Sequence, residues 1–163
     1  MVASFTAPKT SPGGVHDALR CRGYAVLAPS DVASLADIDL AELDALTPSW
    51  DDLQLDHYLK DGGNYRKRRH SCFIAQGDEL QQVPHRVHWQ SLDYNALHGG
   101  MQRMFEPIEP AIASNSAWVK LLQALAKVCS AALPAPRWHI EAHQFRIDTR
   151  DGRGRPTPEG AHR

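Results

Sequence analysis

The chain has 163 residues, of which 42% are hydrophobic and 23% charged. That composition excludes collagen-like, coiled-coil and wholly disordered classes and fits a single domain spanning 1–163. Its 18 basic and 19 acidic residues leave a net charge of −1, which argues against a dedicated nucleic-acid binder.

Residues 1–12 are small, polar and proline-containing and read as a flexible arm. They hold no apolar signal segment. A helix is predicted from Gly14 to Arg22, stopped by Gly23. Tyr24 to Ala28 is β-prone and reads as a short strand. Ser30 reads as the N-cap of a helix through Val32 and Leu35. Asp39 caps another with Leu40, Leu43 and Leu46, ended by Pro48, and Ser49 caps a further turn. Asp61-Gly62-Gly63-Asn64 is a turn signal. It leads into a strand, Tyr65 to Ile74, followed by a turn at Gln76-Gly77-Asp78. Residues 83–95 read as irregular.

The strongest helical pattern follows Pro110, with Ile112, Trp118, Leu121, Leu122, Leu125, Val128 and Ala132 at i, i+3, i+4 spacing. Lys120, Gln123 and Lys127 interrupt its apolar window, so it is no membrane span. Pro134 and Pro136 stop it. Trp138 to Ile147 reads as a long strand. Trp138, Ile140 and Ala142 share one face, continued by Gln144 and Arg146. His139, Glu141, His143, Phe145 and Ile147 share the other. Polar groups ending a core-facing row suit a barrel mouth lined for a ligand; a plain edge strand is the alternative. Residues 148–163 read as a loop.

Cys21, Cys72 and Cys129 are too few and too scattered for a disulfide framework or a zinc site, which suggests a reducing, cytoplasmic setting. His139 and His143 lie about 13 Å apart on a strand, too far to share a metal. His85 and His88 lack an evident third ligand. The basic run Arg66-Lys67-Arg68-Arg69 alternates faces on a strand, so it makes no continuous phosphate track. It reads as a solvated edge strand, as one placing an inward arginine on a substrate carboxylate, or as a nucleic-acid contact. Phosphate loops and nucleophile elbows are absent.

Several strings together resemble a known family. They are Asp61-Gly-Gly-Asn-Tyr-Arg-Lys-Arg-Arg69, Trp89-Gln-Ser-Leu-Asp-Tyr-Asn-Ala-Leu-His-Gly-Gly100, Phe105-Glu-Pro-Ile108, Glu141-Ala-His-Gln-Phe-Arg-Ile147 and Pro158-Glu-Gly-Ala-His-Arg163. Taken in order, over about Leu19 to Arg163, they resemble the bacterial 2-oxoglutarate- and Fe(II)-dependent dioxygenases that include L-isoleucine dioxygenase and other free L-amino-acid hydroxylases.

The resemblance implies an α+β fold, with N-terminal helices packed on a double-stranded β-helix (jelly-roll) barrel. It implies Fe(II) held by a His-x-Asp pair and a distant His, with 2-oxoglutarate as cofactor. The small-molecule substrate would be a free L-amino acid, hydroxylated with O2. His162 falls at the first ligand. Gln144, Arg146, Thr157 and Glu159, with Arg66, fall at candidate substrate-binding positions. The Asp of the pair would be residue 164. The chain is therefore expected to be the N-terminal portion of a dioxygenase, inactive as it stands and binding its cofactors poorly. Self-association through an exposed barrel edge is expected too. The other reading is a non-enzymatic interaction module that uses the basic strand 65–70.

Overall fold

Local rules account for most of the helical elements. The structure is a computed structural model that describes residues 8–59, 62–94, 99–148 and 150. Helix α1 spans Val15–Arg22 and ends where Gly23 turns left-handed at φ 77°, a conformation a side chain would disfavour. Helix α2 spans Pro29–Ala36. Its first turn is capped by Asp31, which accepts from the Ala28 amide at 3.3 Å. The predicted cap Ser30 lies inside this helix instead: Pro29, pre-set in φ, already starts it. Helix α3 spans Leu40–Asp44, with Asp39 Oδ1 accepting from the Ala41 amide at 2.9 Å as expected. Pro48 does not simply stop it, because residues Thr47–Trp50 continue as a 3-10 turn.

The strand expected over Tyr24 to Ala28 does not form. Its recorded backbone pairing is with Thr10, whose amide donates to Val26 O at 2.6 Å. β propensity without a neighbouring strand leaves an extended segment. Thr10, inside the expected arm, is buried; residues 1–7 of that arm lie outside the described residues.

Strand β1 spans Arg66–Gln76 and β2 Glu79–Gln82. Gly77 joins them at φ 58°, the position where a II′ hairpin uses glycine. The long helical pattern splits in two. Helix α4 spans Pro110–Ala113 and α5 Ser116–Ala132, because Asn115 turns extended and caps α5 through Oδ1, 3.1 Å from the Trp118 amide. Strand β3 spans Trp138–Ile147, and the sheet order is β2-β1-β3. Among the described residues this small antiparallel sheet has three strands. No described helix is long and apolar enough to cross a membrane.

The chain divides into two units. The first comprises Met1–Leu46, Ile74–Gln81 and Pro110–Ile140. In it α5 packs on α1, α2, α3 and α4. Ala117, wholly buried, with Leu122 and Ala126 forms the seam, and Leu125 stays exposed. The buried stripe is thus narrower than the sequence pattern, since small residues at the seam let helices approach. Trp138 at the start of β3 donates to Ser130 of α5 at 2.7 Å.

The second unit comprises Thr47–Phe73, Gln82–Glu109 and Glu141–Arg163. Leu53, Leu59, Phe73, Phe105, Ile108 and Ala142 are buried there. So are Asp56, Arg66, Arg68, His70, His88, Arg103 and Gln144. Charged residues are rarely so buried without a partner or a task.

The Asn115 cap gives a test of the helical unit. Asn115→Ala is expected to cost about 1 kcal/mol, read as a lower urea midpoint at unchanged m, while Asn115→Asp keeps the cap and most of the stability.

Candidate functional site

The register of β1 against β3 builds the site. Asp148 N donates to Tyr65 O at 2.7 Å. In an antiparallel pair this sets His70 opposite His143, Cys72 opposite Glu141 and Arg68 opposite Phe145. Opposed residues share a face, and the His70 and His143 rings stack with centroids 4.6 Å apart. The other edge of β1 is paired by loop backbone. Arg68 N donates to Gln54 O, Asp56 N to Arg66 O and His70 N to Glu106 O, each at 2.9 Å. The loop 82–109 returns to the same place: His88 and Arg103 form an antiparallel bridge. The His88 ring centroid lies 4.9 Å from that of His143 and 5.2 Å from that of His70.

His70, His88, Glu141 and His143 thereby offer four ligand atoms within 4.8 Å of one another, a group that could hold a metal ion. Glu141 Oε2 lies 3.1 Å from His88 Nδ1 and 3.8 Å from His143 Nε2. Arg68 Nη2 is 2.7 Å from His143 Nδ1. A guanidinium only donates, so Nδ1 accepts and the neutral ring carries its proton on Nε2. That removes the free lone pair of His143. His70, His88 and Glu141 remain as a two-histidine, one-carboxylate set, whose donor chemistry suits Fe(II). The guanidiniums nearby oppose a cation there.

Those guanidiniums are the second feature of the face. Arg66 Nε binds Asp56 Oδ2 at 2.8 Å, and Arg68 Nη1 lies 3.8 Å from the same oxygen, with the Asp56 side chain fully buried. Arg103 Nη2 donates to Gln90 Oε1 at 2.8 Å. The Arg68 guanidinium carbon lies 3.9 Å from the Phe105 ring centroid, within cation–π range.

Burial sets the protonation of this group. It drives the Arg68 guanidinium down to about 10, against the pull of Asp56. It also holds His143 down at about 3, with Arg68, His70, His88 and Arg103 adding repulsion. His88 is lowered by burial, although Glu141 pulls the other way. Burial raises the Cys72 thiol, assisted by Glu141.

The residues expected to form the site are partly separated. Arg66 lies on the cluster face. Gln144 and Arg146 point to the opposite face, where Gln144 Nε2 donates to Ser49 Oγ at 2.7 Å and Arg146 to Asp51 Oδ1 at 2.5 Å. Thr157, Glu159 and His162 lie outside the described residues. The basic run is no exposed patch: Arg66 and Arg68 are buried, and Arg69 binds Glu109 Oε1 at 3.0 Å. On the other face of the strand Tyr65, Lys67 and Arg69 are half-buried.

His85, paired in sequence with His88, instead contacts the Phe105 carbonyl at 2.7 Å. The sequence reading missed His70, Arg68, Arg103 and the joint role of Glu141 and His143. Spacing Glu141-x-His143 on a strand does put both on one face; the remaining members come from β1 and from the loop between β2 and α4.

A family described as 2OG-Fe dioxygenase matches residues 47–163. A solved structure of a bsmA homolog from Methylobium petroleophilum PM1 is 44% identical, with a TM-score of 0.86 over 96% of this chain. The chain spans 64% of the length of that protein. IDO from Bacillus thuringiensis is 15% identical with a TM-score of 0.54, covering 86% of this chain and 56% of its own, a likeness of fold. No curated protein matches.

Two outcomes test this electrostatic reading. Asp56→Ala leaves two buried guanidiniums uncompensated and is expected to cost about 3–5 kcal/mol by denaturant unfolding. For pH, the folded His143 value lies far below the unfolded value of about 6.5, so the unfolded chain binds the extra proton. Stability is then fully present above about pH 6.5 and falls at lower pH by up to about 1.4 kcal/mol per unit. His143→Asn, which keeps an acceptor for Arg68, should flatten that fall between pH 6.5 and about 5; an unchanged slope would contradict it.

Proposed function

Since the chain belongs to the 2OG-Fe dioxygenase family, we propose that it serves an Fe(II)- and 2-oxoglutarate-dependent oxygenase that hydroxylates a free L-amino acid. The observation that carries this reading is the family match over residues 47–163. The family implies Fe(II), 2-oxoglutarate, O2 and a small-molecule substrate. Bound Fe(II) with 2-oxoglutarate supplies O2 activation for hydroxylating an unactivated carbon.

The three strands are read as part of a jelly-roll barrel. The face carrying Arg66, His70, Glu141 and His143 is proposed as a ligand side, because its polar and charged groups converge there. His162 is the proposed first iron ligand, and Thr157 and Glu159 the proposed lining of the turn before it. Gln144 and Arg146, on the other face of β3 with Ser49 and Asp51 as partners, are the positions the family resemblance proposes for substrate contact. On the cluster face the chain's own residues hold charge and protons. Asp56 fixes Arg66, and Arg68 fixes the tautomer of His143, whose Nε2 lies 3.8 Å from Glu141 Oε2.

A second reading places the cation on His70, His88 and Glu141, favoured by their mutual distances. Arg68 and Arg103 weigh against it, since each adds a buried positive charge beside the ion.

The test is Fe(II)-dependent succinate release from 2-oxoglutarate with a panel of L-amino acids, run on this chain and on the Methylobium petroleophilum homolog. The homolog is expected to release succinate with at least one amino acid. The 163-residue chain is expected to give none, because His162 is the one triad ligand that the resemblance assigns to it. Release by neither protein overturns the amino-acid reading. Release by this chain that survives His162→Ala but not His88→Ala moves the iron to the cluster.

A further inference from the structure

The cluster face of the second unit does not balance in charge. Arg66, Arg68 and Arg103 are 7%, 8% and 1% exposed, and Asp56 is the one buried carboxylate among the described residues. Asp56 engages Arg66 through Nε and reaches Arg68 at 3.8 Å. Arg103 donates to a neutral amide, Gln90, and Arg68 to a neutral imidazole, His143. Three buried guanidinium nitrogens, Arg66 Nη2, Arg68 Nε and Arg103 Nε, have no hydrogen-bond partner. The ring of Phe105 offsets part of the burial of Arg68, but Arg68 Nε still lacks a hydrogen-bond partner.

Access is one-sided. On β1 this face is closed, whereas on β3 the Glu141 and His143 side chains are 38% and 26% exposed and Phe145 is 40% exposed. A ligand approaching over β3 meets His143 first, and behind it Arg68. A carboxylate accepts from a guanidinium more strongly than a neutral imidazole does, and it matches the fork with two oxygens.

The geometry points to this face as the seat of an organic carboxylate, with Arg68 as its main partner, Arg103 behind it, and His143 giving up its place on Arg68. Two acids of the proposed reaction carry that group, the amino-acid substrate and 2-oxoglutarate. Only the amino acid also carries an ammonium, for which Glu141 at the rim is the matching charge. The inference rests on the proposed function solely for the identity of the acid.

The test is calorimetric titration, without added iron, of L-leucine, its decarboxylated amine 3-methylbutylamine, and 2-oxoglutarate. The wild-type chain is expected to bind at least one of the two acids and not the amine. Arg68→Gln is expected to weaken that binding by about tenfold or more, the worth of a charge-assisted hydrogen bond. Arg68→Lys should weaken it too, since the charge stays but the fork is lost.

Arg103→Gln is the second variant should Arg68→Gln fail to fold by circular dichroism. Leucine binding that also falls in Glu141→Gln assigns the carboxylate to the substrate. 2-Oxoglutarate binding that falls in Arg68→Gln but not in Glu141→Gln assigns it to the cofactor. Unchanged affinities in folded arginine variants, amine binding equal to that of the amino acid, or no carboxylate binding at all overturn the site. Arginine-dependent carboxylate binding in a protein that hydroxylates no amino acid leaves the site standing and removes only the substrate reading.

Discussion

Burial of positive charge along one face of β1 is the constraint on which the second unit depends. Arg66 and Arg68 cannot be solvated where the strand runs, so the chain returns at 54–56 to pair with it and bring the wholly buried Asp56 carboxylate to them. The same carboxylate accepts from the Tyr58 amide at 2.9 Å, which anchors it as well as charging it. Removing one partner from such a set costs more than the set contributes, because the partner left behind remains buried. That asymmetry makes the arrangement specific without making it a large source of stability.

The two units therefore rest on different physics. In the first, α5 closes on other helices through Ala117, Leu122 and Ala126, an ordinary seam of apolar burial. In the second, hydrogen bonds and ion pairs hold the buried positions around His70, and low dielectric strengthens each of them. Burial also keeps His143 and His88 uncharged at neutral pH. A face of neutral imidazoles and charged guanidiniums can bind and orient a polar small molecule, which suits a member of an oxygenase family.

Periodicity and capping rules read the regular elements well where neighbours matter little. Trp138–Ile147, the Gly23 stop and the Asp39 cap stand where local chemistry puts them. Tyr24 to Ala28 shows the limit, since a strand exists only with a partner and β propensity does not supply one. The alternation of β3 into two faces was legible, and so was the pairing of Glu141 with His143 on one of them. His70 and His88 were not legible as their neighbours, because the register of β1 and the path of the loop 82–109 bring them there.

The sequence by itself determined the helices, the two long strands and the family resemblance, since these depend on nearest neighbours in the chain and on the order of motifs. Tertiary structure alone decided that Arg66 and Arg68 face inward on Asp56, that Gln144 and Arg146 turn to the other side, and that three histidines and a glutamate converge. The reason is physical. Which face of a strand is buried, and which charge meets which, depends on pairing between segments many residues apart, and no local propensity encodes that pairing.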